Sequence, residues 1–331
     1  MVYFLFDNPA DKRNMEFLKK YGTASFDLIF PPEQCRSVKS MMKVCYKYIQ
    51  KSNTGDTIVC WYDFMGILCW WLCEILHKKR KIVALNILLK NKETLKNKVA
   101  RFLYRQALKS ANLNATVTSK EYGKSVNKLL NIKKKYVLLH DIYHGQYNIC
   151  YKGQVKENSV FCGGRNGRDW NFLFQLTEKM PDIQFNVVVP KEQFEQYRSY
   201  GRNNVSIETE ISEKNFLELM CQSSLVIMPL NTEAPAGLIA MFQAASNGKL
   251  IIASDTVATK EYLAINRGVL CKYSFDEWER QIRYWLAHKK EAQGRALNFQ
   301  KFLENECSER KYAEILQRLV NGDYEGLEIA G

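Results

Sequence analysis

The chain has 331 residues, of which 46% are hydrophobic and 25% charged, and a net charge of +13. These values exclude a disordered or fibrous chain, and the length suits two domains rather than one core. The charge is uneven: residues 1–150 carry 26 Lys+Arg against 11 Asp+Glu, a balance of +15, and residues 151–331 carry 22 against 24.

In chain order the first half alternates strand and helix. Strands are expected at Val2–Phe6, Phe26–Phe30, Thr57–Tyr62, Lys81–Leu89, Ala115–Thr118 and Tyr136–His140. Helices are expected near Asp11–Tyr21, at Pro32–Lys51, Gly66–His77 and Lys92–Ser110, and from the cap at Ser119 onward. Met1–Phe6 is a short apolar run broken by Asp7 and Pro9, so no signal or targeting segment is expected there. The most apolar window, Ile58–Leu76, carries Asp63 and Glu74 and reads as strand then helix rather than a membrane span.

Gly145–Asn158 is polar and aperiodic, as a linker would be. A second α/β series follows, with strands at Ser159–Cys162, Gln184–Val189, Val205–Glu208, Leu225–Met228 and Leu250–Ala253. Its helices start at Trp170, Lys191, Glu213 and just after Gly237, and from Phe275 the chain is helical and amphipathic. The domain expectation is an N-terminal lobe over 1–150, a second lobe over 151–310, and a C-terminal helix and tail over 311–331 packing across both. The ten cysteines are scattered without Cys-x-x-Cys pairs, which reads as reduced thiols of a cytoplasmic protein rather than disulfides or zinc ligands.

The segment Leu225–Asp255 carries most of the functional information. A strand, a glycine-bearing loop and a helix start place unpaired amides and a positive dipole end at the carboxyl edge of a parallel sheet, where phosphates bind. Together with Phe161-Cys162-Gly163-Gly164-Arg165-Asn166-Gly167-Arg168-Asp169-Trp170 and the run Leu219–Pro229, this segment resembles the donor domain of GT-B glycosyltransferases, particularly glycosyltransferase family 4. The likeness covers most of residues 159–262. It implies an α/β GT-B fold of two Rossmann-like lobes with a cleft between them and a C-terminal helix crossing back.

By the same resemblance the donor site comprises Gly164, Arg165, Arg168, Thr209, Ile211, Glu233, Ala236, Gly237, Leu238 and Gln243. Arg165 and Arg168 would stabilise the leaving diphosphate, and Glu233 would meet the sugar hydroxyls. Gly237 and Leu238 would present amides to the diphosphate, and the Thr209–Ile211 loop would cradle the base. Gln243 replaces the second carboxylate of the family pattern, keeping an acceptor oxygen without the charge. Glu233 lies four residues before Gly237, where the family usually has three. Surface arginines in a tight turn, a solvated Glu and a helix-surface Gln are the plain alternatives.

The chain contains no Asp-x-Asp, so no metal or other cofactor is expected. The first lobe matches the family less well. Asp63, in Tyr62-Asp63-Phe64-Met65-Gly66, is either an acceptor-side base or hydroxyl ligand in the cleft, or a polar helix cap. Trp61, Trp70 and Trp71 with the basic run His77–Lys81 are either an interfacial patch or core aromatics beside a solvated charge run.

The reading that results is a retaining, metal-independent glycosyltransferase that moves a sugar from a nucleotide-sugar, favoured as UDP-linked, to a saccharide or lipid-diphosphate-linked acceptor. It would be cytoplasmic, with peripheral contact to the inner membrane face through the basic first lobe. No nucleic-acid module is recognisable, and a homo-oligomer is compatible with the sequence. A nucleotide-sugar-binding subunit without transfer, and a UDP-sugar epimerase on the same fold, are the competing readings.

Overall fold

The computed structural model describes residues 1–22, 26–89, 93–264 and 266–331. The chain divides into two compact units, one of Met1–Ile142 with Cys307–Gly331 and one of Tyr143–Glu306.

The first unit runs β1 (Val2–Leu5), α1 (Phe17–Tyr21), β2 (Phe26–Ile29), α2 (Val38–Lys51), β3 (Thr57–Cys60), α3 (Asp63–Ile75), β4 (Lys81–Ala84), α4 (Leu95–Lys109), β5 (Leu113–Val117), α5 (Lys120–Leu130) and β6 (Tyr136–Leu138). The second runs β7 (Ser159–Gly163), α6 (Trp170–Lys179), β8 (Gln184–Val188), α7 (Lys191–Tyr197), β9 (Val205–Glu208), α8 (Glu213–Gln222), β10 (Leu225–Met228), α9 (Leu238–Ser246), β11 (Ile251–Ser254), α10 (Val257–Leu263), β12 (Val269–Cys271), α11 (Phe275–Ala287) and α12 (Lys289–Glu306). The chain then returns to the first unit with α13 (Glu309–Asn321) and β13 (Ile329–Ala330).

The first sheet has the order β13-β6-β5-β4-β3-β1-β2, parallel except for β13, which pairs antiparallel with β6. Strands such as Thr-Ile-Val-Cys in β3 are buried throughout, as parallel strands covered on both faces must be. Right-handed crossovers place α2, α3, α4 and α5 on one face of this sheet and α1 on the other. There α1 packs with α13, whose Tyr312, Ala313, Leu316 and Leu319 enter the core of Phe4, Phe6, Val59 and Val83. The window Ile58–Leu76 is strand β3 followed by α3, and among the described residues no helix is long and apolar enough to cross a membrane.

Several boundaries differ from the sequence expectation for local reasons. The helix expected from Pro32 begins only at Val38, where Ser37 caps α2 by accepting from the Ser40 amide. Lys81–Leu89 is a strand only to Ala84; Leu85 and Ile87 are buried in a loop whose amides bond Cys60 O and Thr116 O. Asp11–Tyr21 is not one helix but a 3-10 turn over Pro9–Met15, capped by Asn8, followed by the five-residue α1. Lys92, the expected start of α4, lies outside the described residues, and α4 is capped instead by Thr94, which accepts from the Asn97 amide.

The second sheet has the order β12-β11-β10-β7-β8-β9, parallel throughout. From β7 the chain moves outward to β8 and β9, and from β10 it moves the other way to β11 and β12. The carboxyl ends of β7 and β10 therefore flank a topological switch point, where open α/β sheets form a crevice. The core around it holds Phe172, Phe174, Phe185, Ile227, Ile252 and Trp278.

Candidate nucleotide-binding site

The two loops that leave the switch point are joined through their backbones. Arg168 forms an antiparallel bridge with Leu230, the Asp169 amide donates to Pro229 O (2.9 Å), and the Asn231 amide donates to Gly167 O (3.0 Å). Asp169 then caps α6 by accepting from the Phe172 amide. This fixes Arg168, whose side chain turns inward and is only 5% exposed.

The guanidinium lies over two glycines. A Cβ at Gly164 would sit 2.7 Å from Nη2, and a Cβ at Gly237 would sit 2.6 Å from Nη1. Both have a left-handed φ, +125° and +77°, so glycine meets a steric and a conformational requirement at once. Nε donates to Gly163 O at 3.0 Å, whereas Nη1 and Nη2 are buried with no hydrogen-bond partner among the described residues. Burial pulls the guanidinium below its ordinary pKa. Two unpaired donors on a buried cation are costly, and a bidentate anion is the partner that matches their fork.

Gly237 is also the N-cap of α9 and supplies no side-chain cap, so the first-turn amides of Leu238–Ala240 have no capping side chain beside the guanidinium. A helix start of this kind favours an anion through both its donors and its dipole. Arg168 and the α9 start thus converge on one place, with the chemistry to hold a phosphate or diphosphate.

The remaining residues expected at the site are distributed around this centre. Ala236 is half-buried in the loop before α9, and Leu238 is buried in its first turn. Thr209, just beyond β9, has a buried Oγ1 with no partner among the described residues, between β9 and the left-handed Glu210; Ile211 is half-buried. Gln243 is buried in α9, and its Nε2 reaches Glu213 Oε1 at 3.4 Å, which ties α9 to the start of α8.

Arg165 is not brought beside Arg168. It is exposed and lies 3.7 Å from Glu192 of α7. Glu233 is exposed and accepts from the Val257 amide (3.0 Å) through Oε2, so one of its oxygens caps α10.

In the first unit, Asp63 is 3% exposed and turned into the interior rather than toward solvent. Oδ2 accepts from the Leu88 amide and the Tyr104 hydroxyl, both at 2.7 Å, and Oδ1 from the Phe64 amide at 2.8 Å. Burial nevertheless raises its pKa to about 6, against the lowering effect of these bonds. Its residue is the first of α3, after the cap position Tyr62.

Sequence reasoning passed over Asp7 and Asp11, which follow β1 at the switch point between β1 and β3. Burial raises both, Asp11 to about 6 with help from the Asp7 charge. The available signal was two acids directly after an apolar run. Of the tryptophans, Trp70 is buried, Trp61 packs on the core and Trp71 donates to Leu103 O, so they form no exposed patch. Arg80 of the adjacent basic run is buried as well, bonded to Ser52.

A cavity of about 740 Å³ opens at the amino edge of the second sheet, among Asn148, Cys150, Asn247, Lys249 and Lys290. Among the described residues none of its lining side chains has a buried, unpartnered polar atom like those of Arg168.

Residues 165–318 match a family model described as glycosyl transferase-like. No curated protein sequence matches the chain significantly. Among solved structures, Anabaena HepE in complex with UDP superposes with a TM-score of 0.71 at 13% identity, over 97% of this chain and 99% of that one. HepE has also been solved with UDP-glucose. A glycosyltransferase from Rickettsia africae gives 0.69 at 11% identity, over 98% of each chain. WaaG, a glycosyltransferase involved in lipopolysaccharide biosynthesis, gives 0.60 at 14%, over 97% and 100%. The chain thus has the GT-B fold of these glycosyltransferases, and its residues 165–318 match the glycosyl transferase-like family.

Proposed function

We propose that this protein is a glycosyltransferase that takes its sugar from a UDP-sugar and passes it to a saccharide acceptor with retention of anomeric configuration. The observation that carries the reading is the pair of unpartnered Nη donors of buried Arg168, set against Gly164 and Gly237 at the start of α9. UDP is the favoured nucleotide because HepE, of the same fold, has been solved with UDP and UDP-glucose.

In this reading Arg168 and the α9 amides bind the diphosphate and stabilise the charge that builds on it as the bond to the sugar C1 breaks. The acceptor oxygen bonds C1 on the face that the diphosphate leaves, and the acceptor proton passes to the departing phosphate oxygen. Arg168 supplies the positive charge that a metal supplies in other transferases, so transfer should persist in a chelator. Glu233, held at the start of α10 by one oxygen, contacts sugar hydroxyls. Thr209 and Ile211 line the base, and Gln243 the ribose. The positive first 150 residues suit a lipid-diphosphate-linked acceptor at a membrane surface, with peripheral attachment of the chain there.

A second reading, nucleotide-sugar binding without transfer, is favoured by the engagement of Arg165 with Glu192 and of Gln243 with Glu213. A thermal-shift panel of UDP, GDP, dTDP and their sugars, followed by assay of UDP release with and without chelator, separates the two. Stabilisation by UDP ligands, about 2.7 kcal/mol at a hundred times Kd, together with chelator-resistant UDP release, supports transfer. Stabilisation without release under any acceptor supports the second reading, and a flat panel contradicts both.

A further inference from the structure

The helices α2 and α4 each carry an exposed apolar ridge beside a ridge of cations. In α2 the apolar positions are Val38, Met42 and Tyr46, spaced by four residues and 48, 37 and 49% exposed. In α4 they are Leu95, Val99 and Phe102, 80, 52 and 54% exposed. At these spacings each trio lies along one side of its helix.

Each apolar residue of α2 is followed by a lysine, Lys39, Lys43 and Lys47, so a cationic stripe runs alongside the apolar one. Lys96 and Lys98 play the same part in α4, where Lys98 and Arg101 meet Glu93 just before the helix. Neither helix contains an aspartate or a glutamate. Both lie on the same face of the first sheet, with α3 packed between them.

We infer that this face of the first unit is the surface by which the protein binds an anionic lipid bilayer. The chemistry selects that partner. Apolar side chains standing at intervals, with lysine stems and ammonium groups beside them, match an interface whose hydrocarbon lies beneath negative headgroups. Nucleic acid would use the cations but not the six exposed apolar side chains. Trp70 is buried and takes no part. The inference deepens, and takes its setting from, the peripheral attachment proposed above, but it requires no bound nucleotide.

The test is co-sedimentation of the full chain with phosphatidylcholine vesicles and with vesicles containing 30% phosphatidylglycerol, at low and high salt. The expected result is binding to the anionic vesicles only, weakened by salt. The triple variants V38S/M42S/Y46S and L95S/V99S/F102S, and the charge variant K39E/K43E, should each partition at least tenfold more weakly. Their UDP titration should be unchanged, and L297S in the second unit should bind vesicles like the wild type.

Should a variant fail to fold, acetylation of the wild-type chain gives the same answer. Lys39, Lys43 and Lys96 should be protected by anionic vesicles and not by neutral ones. Equal binding to both vesicle types, no binding, unprotected lysines, or a dimer that the ridge variants split would overturn the inference. Vesicle binding and UDP binding are read separately, so either can fail without the other.

Discussion

At the scale of single residues, Arg168 and Asp63 are buried charges in opposite conditions. Arg168 has two donors without partners among the described residues, whereas the Asp63 carboxylate accepts three hydrogen bonds. Removing an unsatisfied buried cation relieves a penalty, so Arg168→Ala should leave the ligand-free protein within about 1 kcal/mol of wild-type stability, or make it more stable. Urea unfolding measures this, and a loss of several kcal/mol would mean that the guanidinium is a structural strut. Which of the two arginines turns inward could not be read from Gly-Gly-Arg-Asn-Gly-Arg. The choice depends on the left-handed Gly164 and on the bridge to Leu230, 62 positions further along the chain.

The pH behaviour of Asp63 follows from its raised pKa. A carboxyl that titrates near 6 in the folded chain and near 3.8 in the unfolded chain binds its proton more tightly when folded. Its contribution to stability therefore falls as pH rises from about 4 to about 6, and the loss is complete above that window. The stability of Asp63→Asn relative to wild type should accordingly rise by about 2 kcal/mol between pH 4 and pH 7. Denaturation at both pH values tests it, and a difference that stays constant would show that the three hydrogen bonds keep the pKa ordinary. The sequence offered Asp63 as a cleft base or a cap. It could not show the carboxylate turned inward, because Leu88 and Tyr104 lie 25 and 41 positions away.

At the scale of elements, most of the second unit was legible. Its strands from β7 to β11 are four or five residues long and its helices begin at recognisable caps such as Asp169 and Ser212, whereas the three-residue β12 was not expected. The strand, loop and helix from Leu225 to Ser246 follow the sequence reading because Pro229 and Gly237 punctuate it. The first unit was less legible where periodicity and pairing disagree: Leu85 and Ile87 look like strand residues but are buried in a loop. The two-residue β13 is too short to leave a pattern.

Close packing of α3 on the sheet gives a further prediction. A Cβ at Gly66 would lie 2.7 Å from the Ala84 Cβ and 3.0 Å from its Cα, so Gly66→Ala must push the helix off β4. The expected cost is about 1–3 kcal/mol, above the helical gain from alanine. A stabilised variant in urea would show that the interface has slack.

At the scale of the whole molecule, positive charge is concentrated in the first 150 residues, while the anion-binding geometry lies in the second unit. This separates two kinds of positive charge. The first is spread over exposed helices and suits a surface; the second is one buried guanidinium and suits a defined ligand. Composition revealed the former; the family resemblance named Arg168 for the latter, and the assembled loops showed that its guanidinium is buried.

The most direct measurement is calorimetric titration of UDP into the wild-type chain and into Arg168→Ala. The site described here predicts saturable 1:1 binding by the wild type, and affinity weaker by about tenfold to a hundredfold in the variant, the range for hydrogen bonds to a charged group. UDP binding of equal strength in both proteins would contradict the assignment of Arg168 as the diphosphate ligand, and no binding to the wild type would contradict the site itself.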